Sequence, residues 1–269
     1  MSDPPQARDV QEELQRQESV PWARGKYYKS YEQVLGDGIV RNILEHMRPP
    51  SLLDVACGNG LVTSRLAPHF RRVVGVDASS AHIAKAREDH PRIEFVHALA
   101  EEYRADEPFT TVALSNLLEH VVDPVVLLAH MRGQLATDGR LIASVPNALA
   151  ANRRIARLMG TLEDEYELSP FDIEVAGHRR YYDLRALVRD FEAAGLHVAH
   201  KGGIFYKMLS SPQFNWLLEQ GLWDEGGHGW GRVGAEKAKD WRQAFCEACY
   251  EFGKQRPEDC NLVYVVAEP

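Results

Sequence analysis

Leu52-Leu53-Asp54-Val55-Ala56-Cys57-Gly58-Asn59-Gly60, followed by Arg72-Val73-Val74-Gly75-Val76-Asp77, is the stretch that decides the fold. Each run is short and mostly apolar, without polar alternation, which is the pattern of a strand buried on both faces. The first run ends in glycines where the chain turns into a helix. Glycines there let the backbone approach a ligand closely, and the helix start presents free N–H groups. The second run ends in Asp77, nineteen residues after Gly58, where a carboxylate can accept hydrogen bonds from both hydroxyls of a ribose. Strand, glycine loop, helix, strand and terminal acid, in that order, describe a nucleoside-type cofactor across the first two strand ends. A dinucleotide fingerprint would need a third glycine, but Gly58-Asn59-Gly60-Leu61-Val62-Thr63 has threonine there. Asp54, just before the glycines, would repel a pyrophosphate and welcome an ammonium group.

Outward from this stretch the chain keeps alternating. Residues 93–96, 111–116 and 141–146 are three more apolar runs, and 197–206 and 261–267 are two further strand candidates. Helical segments with legible caps lie between them. Ser79 opens one carrying Ile83 and Ala84. Asp123-Pro124 opens another, with the aspartate as N-cap and proline at the first helical position. That helix is read as burying Leu127, Leu128, Met131 and Leu135 and ending before Gly139. A third starts near Leu184, buries Leu187, Val188 and Phe191, and closes at Gly195. Upstream, Val34, Ile39, Val40, Ile43, Leu44 and Met47 recur at helical spacing until Pro49-Pro50 stops them. The fold class is a doubly wound α/β domain with a mostly parallel sheet covered on both faces. Residues 1–48 read as an N-terminal helical arm and 49–269 as the main domain, with insertions at about 161–177 and 207–260. Insertions beyond strand ends are where substrate covers are built; packing decoration or homodimer contact is the alternative for the second.

The composition agrees. The chain has 269 residues, 45% hydrophobic, and a formal charge of −8. No run approaches eighteen apolar residues, so no membrane span is expected. The acidic balance argues against nucleic acid as the main partner. Four cysteines, Cys57, Cys246, Cys249 and Cys260, are too few for a disulfide scaffold, and a cytoplasmic protein is expected.

Leu53-Asp54-Val55-Ala56-Cys57-Gly58-Asn59-Gly60 resembles motif I of class I S-adenosylmethionine-dependent methyltransferases, and Val74-Gly75-Val76-Asp77-Ala78-Ser79 resembles its second-strand partner. Asn116-Leu117-Leu118-Glu119-His120-Val121-Val122-Asp123-Pro124 is similar to the Leu-Glu-His-Val-x-Asp-Pro signature of the branch containing ubiquinone-type O-methyltransferases. The resemblance covers roughly residues 35–206. It implies a seven-stranded Rossmann-like sheet with the last strand antiparallel, and S-adenosylmethionine as cofactor. Asp54, Ala56, Gly58, Asn59 and Gly60 would lie at the methionine part, Asp77 and Ala78 at the ribose, and Leu99, Ala100 and Glu101 at the adenine. Asn116 and Leu117 would face the cofactor or the acceptor. Two positions depart from the pattern: Leu99 stands where an aspartate often reads the adenine amino group, and Ala56 where a glycine is common. The second is a mild change if the backbone angle there is ordinary.

The sulfonium supplies the electrophile, so the protein need only align the acceptor and, for an oxygen acceptor, remove a proton. His120, just beyond the fourth strand, is the first candidate base, and His178 the second. A structural histidine bonded to backbone is the alternative for His120. Glu119 reads as a helix-start anion, or else as a partner orienting His120. Some relatives carry Glu-x-x-Glu-His here, a spacing that could supply metal ligands; with Asn116 at its first position no metal is expected. Arg179 and Arg180 could hold an acceptor phosphate or carboxylate, or pair with Glu163, Asp164, Glu165 or Glu167; Tyr181 belongs to the same stretch. Trp22, Tyr27, Tyr28 and Tyr31 could close over the site or simply dock an amphipathic helix. Cys246 and Cys249 have metal-pair spacing but no second pair. The expected activity is methylation of a hydroxyl on a small polar molecule such as a sugar, nucleotide-sugar or natural-product intermediate. N-methylation of an amino sugar or amine, and a non-catalytic cofactor-binding relative, are the alternatives.

Overall fold

A computed structural model of the chain describes residues 29–220 and 241–269. Seven strands form one sheet: β1 Ser51–Val55, β2 Arg72–Asp77, β3 Glu94–His97, β4 Phe109–Ser115, β5 Leu135–Pro146, β6 His197–Tyr206 and β7 Cys260–Glu268. Their spatial order is β3-β2-β1-β4-β5-β7-β6, with β7 antiparallel to both β5 and β6. The order reverses at β1, since β2 and β3 lie on one side of it and β4 and β5 on the other. Such a reversal opens a crevice at the carboxyl ends of the strands.

Every residue of β1 is buried. Successive side chains point to opposite faces, so Leu53 and Val55 join a core with Val74, Val76, Leu127, Leu128 and Phe191, while Leu52 joins another with Ile39, Val40, Ile43 and Ile142. The second core is covered by α1, Lys29–His46, whose apolar residues at helical spacing face the sheet. The other described helices are α2 Leu61–Leu66, α3 Ser80–Asp89, α4 Pro124–Arg132, α5 Ala151–Leu158, α6 Leu184–Ala193, α7 Ser211–Gln220 and α8 Trp241–Gln255. None of the described helices is long and apolar enough to cross a membrane.

The caps fall where the residue types place them. Ser79 accepts a hydrogen bond from the His82 N–H, Asp123 from those of Val125 and Val126, and Gly195 closes α6 at φ 75°. One boundary differs from the sequence reading: α4 ends at Arg132, and Leu135 opens β5 instead of lying on the helix. The Phe109 N–H bonds the Gln134 carbonyl at 2.8 Å, so pairing with β4 captures the chain immediately after the helix. Gly139 therefore lies inside a strand, where an added Cβ would meet the Phe109 carbonyl oxygen at 2.9 Å.

The segment between β5 and α6 leaves the sheet and returns to where it began. The Ala148 N–H donates to the Tyr182 carbonyl at 2.6 Å, and Asn147 and Tyr182 form a bridge. Within it lies a π-helical turn, Asp172–Ala176, ended by Gly177 at φ 71°.

Gly60 opens α2 at φ 78°, and a Cβ there would stand 2.7 Å from Phe95 Cζ. Both backbone and space require glycine. Gly60→Ala is expected to destabilise the protein by about 1–3 kcal/mol, read as a lower denaturation midpoint; an unchanged midpoint would mean that the loop yields freely.

Candidate functional site

The loop after β1 is built on Asp77. Its Oδ2 accepts the Gly58 N–H and its Oδ1 the Ser79 N–H, both at 2.8 Å. A carboxylate has about four acceptor positions, so each oxygen retains capacity for a ribose hydroxyl while fixing the glycine loop. Asp54 lies beneath the same loop, 2% exposed, with Oδ2 accepting the Thr63 hydroxyl at 2.6 Å. Burial pushes its carboxyl up to about 6, against the Thr63 hydrogen bond. Thr63, at the place of a third glycine, is thus a site residue whose role the sequence reading missed. Ala56 adopts φ 61°, so the backbone angle there is not ordinary and alanine carries left-handed strain that glycine would not. Cys57 is buried, and burial with two neighbouring carboxylates keeps its thiol protonated. Leu99 and Ala100 are buried and Glu101 is half-buried, in a turn whose Ala98 N–H bonds the Asp77 carbonyl at 3.1 Å. The turn therefore begins beside the end of β2. Asn59 is exposed and Ala78 half-buried.

Beyond β4 the chain makes a second constellation. Asn116 sits at φ 52°, its N–H bonded to the Ser144 carbonyl at 2.8 Å and its Oδ1 buried without a hydrogen bond. Leu117 is buried. Glu119 is 0% exposed, and neither carboxylate oxygen accepts a hydrogen bond. The helix-start reading of Glu119 is therefore wrong, because Asp123 caps α4. Burial raises the Glu119 carboxyl to about 8. His120 Nδ1 lies 3.2 Å from the Gly177 carbonyl. A carbonyl only accepts, so Nδ1 carries the hydrogen and the neutral ring keeps its lone pair on Nε2, 3.8 Å from Glu119 Oε1. The His178 ring stands edge-on to that of His120 at 5.0 Å, with Nδ1 3.6 Å from Asp172 Oδ1. Burial lowers the His178 pKa, opposed by Asp172. One ligand atom each from Glu119, His120 and His178 lie within 4.8 Å of one another.

Arg179 and Arg180 latch this loop in place. The Arg179 N–H bonds the Glu119 carbonyl at 2.8 Å and Nε the His120 carbonyl at 2.9 Å. Arg180 donates to the carbonyls of Leu118, Val121 and Val122 at 2.9, 2.6 and 3.0 Å. For Arg180 neither sequence-based role, holding an acceptor anion or pairing with the acids at 163–167, matches these contacts. The bent loop leaves its carbonyls without helical partners, and the guanidinium groups satisfy them. Tyr181 is likewise engaged: its hydroxyl donates to Asp172 Oδ1 at 2.8 Å, and the Arg153 guanidinium lies 3.8 Å from its ring centroid. Asp172 and Arg153 carried no sequence signal, because their roles arise only in the folded segment. Trp22, Tyr27 and Tyr28 lie outside the described residues; Tyr31 falls on α1, its side chain outside them. Cys246 and Cys249 lie on α8, neither of them in a disulfide.

A doubly wound sheet with a glycine loop at its reversal point, an acid ending the second strand and a buried polar cluster after the fourth defines a nucleoside-cofactor enzyme of the transferase kind. A family model described as a methyltransferase domain matches residues 27–201, well over half of the chain. The chain belongs to that family, and S-adenosylmethionine is its methyl donor. Among similar curated proteins, the ubiquinone biosynthesis O-methyltransferase of Aeromonas salmonicida (strain A449) is 28% identical over 166 residues, covering 60% of this chain and 68% of that protein. That of Dinoroseobacter shibae (strain DSM 16493 / NCIMB 14021 / DFL 12) is 29% identical over 164 residues, covering 59% and 64%. Among solved structures, an S-adenosylmethionine-dependent methyltransferase from Mesorhizobium loti matches with a TM-score of 0.56 and 14% identity, covering 86% of this chain and 95% of that one. A [4+2]-cyclase matches with a TM-score of 0.55 and 17% identity, covering 86% and 80%.

Proposed function

We propose that the chain transfers the methyl group of S-adenosylmethionine to a hydroxyl of a small polar molecule, such as a sugar, nucleotide-sugar or natural-product intermediate. The acceptor oxygen attacks the methyl carbon, the carbon–sulfur bond breaks, S-adenosylhomocysteine leaves, and the hydroxyl proton departs at the Glu119–His120–His178 cluster. That cluster carries the reading. A hydroxyl needs its proton removed, and here proton-accepting groups, two buried and one half-buried, face one another beyond the strand next to the glycine loop. The names of the curated relatives favour oxygen as well. An amine acceptor, once neutral, would need none of this apparatus. The cyclase neighbour is a reminder that this fold alone does not fix the reaction, but a purely binding role would leave the cluster without a use.

The test is methyl transfer from labelled donor to paired acceptors that differ only in hydroxyl against amine. Label on the hydroxyl member supports the reading; label on the amine member alone, or none on any pair while the donor binds, overturns it. Asp54 supplies a further expectation. If its carboxylate faces the donor's ammonium group, donor affinity should hold above about pH 6 and fall below it, because protonation removes the charge. Calorimetric affinities that stay level from pH 7 to about 5 would remove Asp54 from the donor site.

A further inference from the structure

The turn that carries Gly177 and His178 is closed on one residue. Asp172 opens a π-helical turn, and its main-chain carbonyl accepts the N–H of Gly177 and, at 2.7 Å, that of His178. Such turns are rare and recur at functional positions. The Gly177 carbonyl in turn lies 3.2 Å from His120 Nδ1, so the Asp172 carbonyl sets the backbone that faces one imidazole. The Asp172 side chain faces the other. His178 Nδ1 is buried without a hydrogen bond, and Asp172 Oδ1 stands 3.6 Å from it. That is beyond hydrogen-bond range, but contacts of this kind often tighten only once substrate binds. The carboxylate is held on several sides. Its Oδ2 accepts the Ser169 N–H at 2.8 Å and hydroxyl at 2.6 Å, and its Oδ1 the Tyr181 hydroxyl at 2.8 Å. Arg153 Nη1 lies 3.9 Å from Oδ2, and only 4% of Asp172 is exposed. Main-chain contacts would close the turn with any residue at 172; they do not call for a buried carboxylate beside an imidazole.

We propose that Asp172 is a positioning residue for the proton transfer. Its carboxylate holds the His178 hydrogen on Nδ1, so that Nε2 can accept the hydroxyl proton released into the cluster, and its carbonyl sets Gly177 against His120. The inference rests on the hydroxyl-methylating reading above. A carboxylate beside one imidazole nitrogen favours the hydrogen there and leaves the lone pair on the other. As the acceptor oxygen attacks the methyl carbon and the carbon–sulfur bond breaks, the O–H proton passes to that lone pair. The imidazolium so formed is stabilised by Asp172 and opposed by Arg153. Tyr181, Glu119 and His120 are the other titratable groups about the ring. In the opposite tautomer Nε2 would present a hydrogen of its own and could not take one.

The test is nitrogen NMR of the full chain carrying isotope-labelled histidine, above the titration of both rings, with H178Q used to assign the His178 signals. The expected result is hydrogen on Nδ1 of His178, the reverse of what free histidine prefers. D172N should return His178 to the Nε2–H form and lower kcat by at least about tenfold, with S-adenosylmethionine affinity nearly unchanged as proof of folding. It should also move the acidic limb of the kcat profile to lower pH, because the charge that favours the His178 imidazolium is gone. Hydrogen on Nε2 in the wild type, or an unchanged tautomer in D172N, overturns the assignment. So does a slowed D172N whose pH profile stays in place, the result of a merely structural role. If D172N does not fold, the wild-type spectrum still decides. A hydroxyl methylated while His178 carries its hydrogen on Nε2 would remove the role of Asp172 and leave the O-methyltransferase reading standing. The expected tautomer, with methyl delivered only to amines, would do the reverse.

Discussion

His120→Ala is expected to lower kcat by about 10²–10⁴-fold, the range for losing a group that handles a proton in the transition state. The expectation rests on position and electronics together. His120 is 5% exposed, its Nδ1 is committed to the Gly177 carbonyl, and its lone pair faces Glu119. S-adenosylmethionine affinity should change little if, as proposed, the donor is held by the β1 loop and the end of β2. The wild-type rate should fall on acidification, since an imidazolium has no lone pair to offer. Steady-state kinetics over pH, with calorimetry for the donor, check both halves. A loss under about tenfold with an unaltered pH profile would make His120 a strut for Gly177, and would pass the proton to His178.

Asp77→Ala is expected to weaken both S-adenosylmethionine and its demethylated product by about 1–3 kcal/mol, roughly 5- to 150-fold. Ribose hydroxyls lose their acceptor, and the Gly58 and Ser79 N–H groups lose the carboxylate that holds them at 2.8 Å. Asp77→Asn should recover only part of the loss, because an amide can accept on one side but must donate on the other. Calorimetry with both ligands measures it. Unchanged affinity would refute the ribose assignment, and NADH binding more tightly than the methyl donor would refute the cofactor class.

The parts of the fold that were legible in the sequence are those set by near neighbours. Leu52–Val55 and Arg72–Asp77 are mostly apolar runs because both faces of their strands are covered, and Asp123-Pro124 announces its helix through residues that contact only the next turn. Leu135 was misplaced because the Gln134–Phe109 bond that pulls it into β5 joins residues far apart in sequence. The donor site follows the same logic: Gly58, Gly60 and Asp77 are close enough in the chain for their spacing to carry meaning. The acceptor side does not. His120 meets Gly177 across 57 positions, and the state of Glu119 depends on burial among groups that no local pattern predicts. Arg180 looks like an anion binder until the carbonyls of the bent loop are seen to occupy it. Ala56 looks conservative until its φ is known.

The segment that leaves the sheet at Asn147 and rejoins it at Tyr182 has its two ends tied together. Such a loop can be lengthened cheaply, since doubling its residues costs only about 0.6 kcal/mol in closure entropy. Immediately before it closes, Gly177 and Arg179–Arg180 reset the chain's position against the loop after β4, so differences in length upstream need not reach His120. On the function proposed above, the molecule would divide into a fixed chassis that handles the methyl donor and an exchangeable cassette over the acceptor. A lineage of such proteins could change what it methylates by rewriting residues 148–176 around Asp172 and little else.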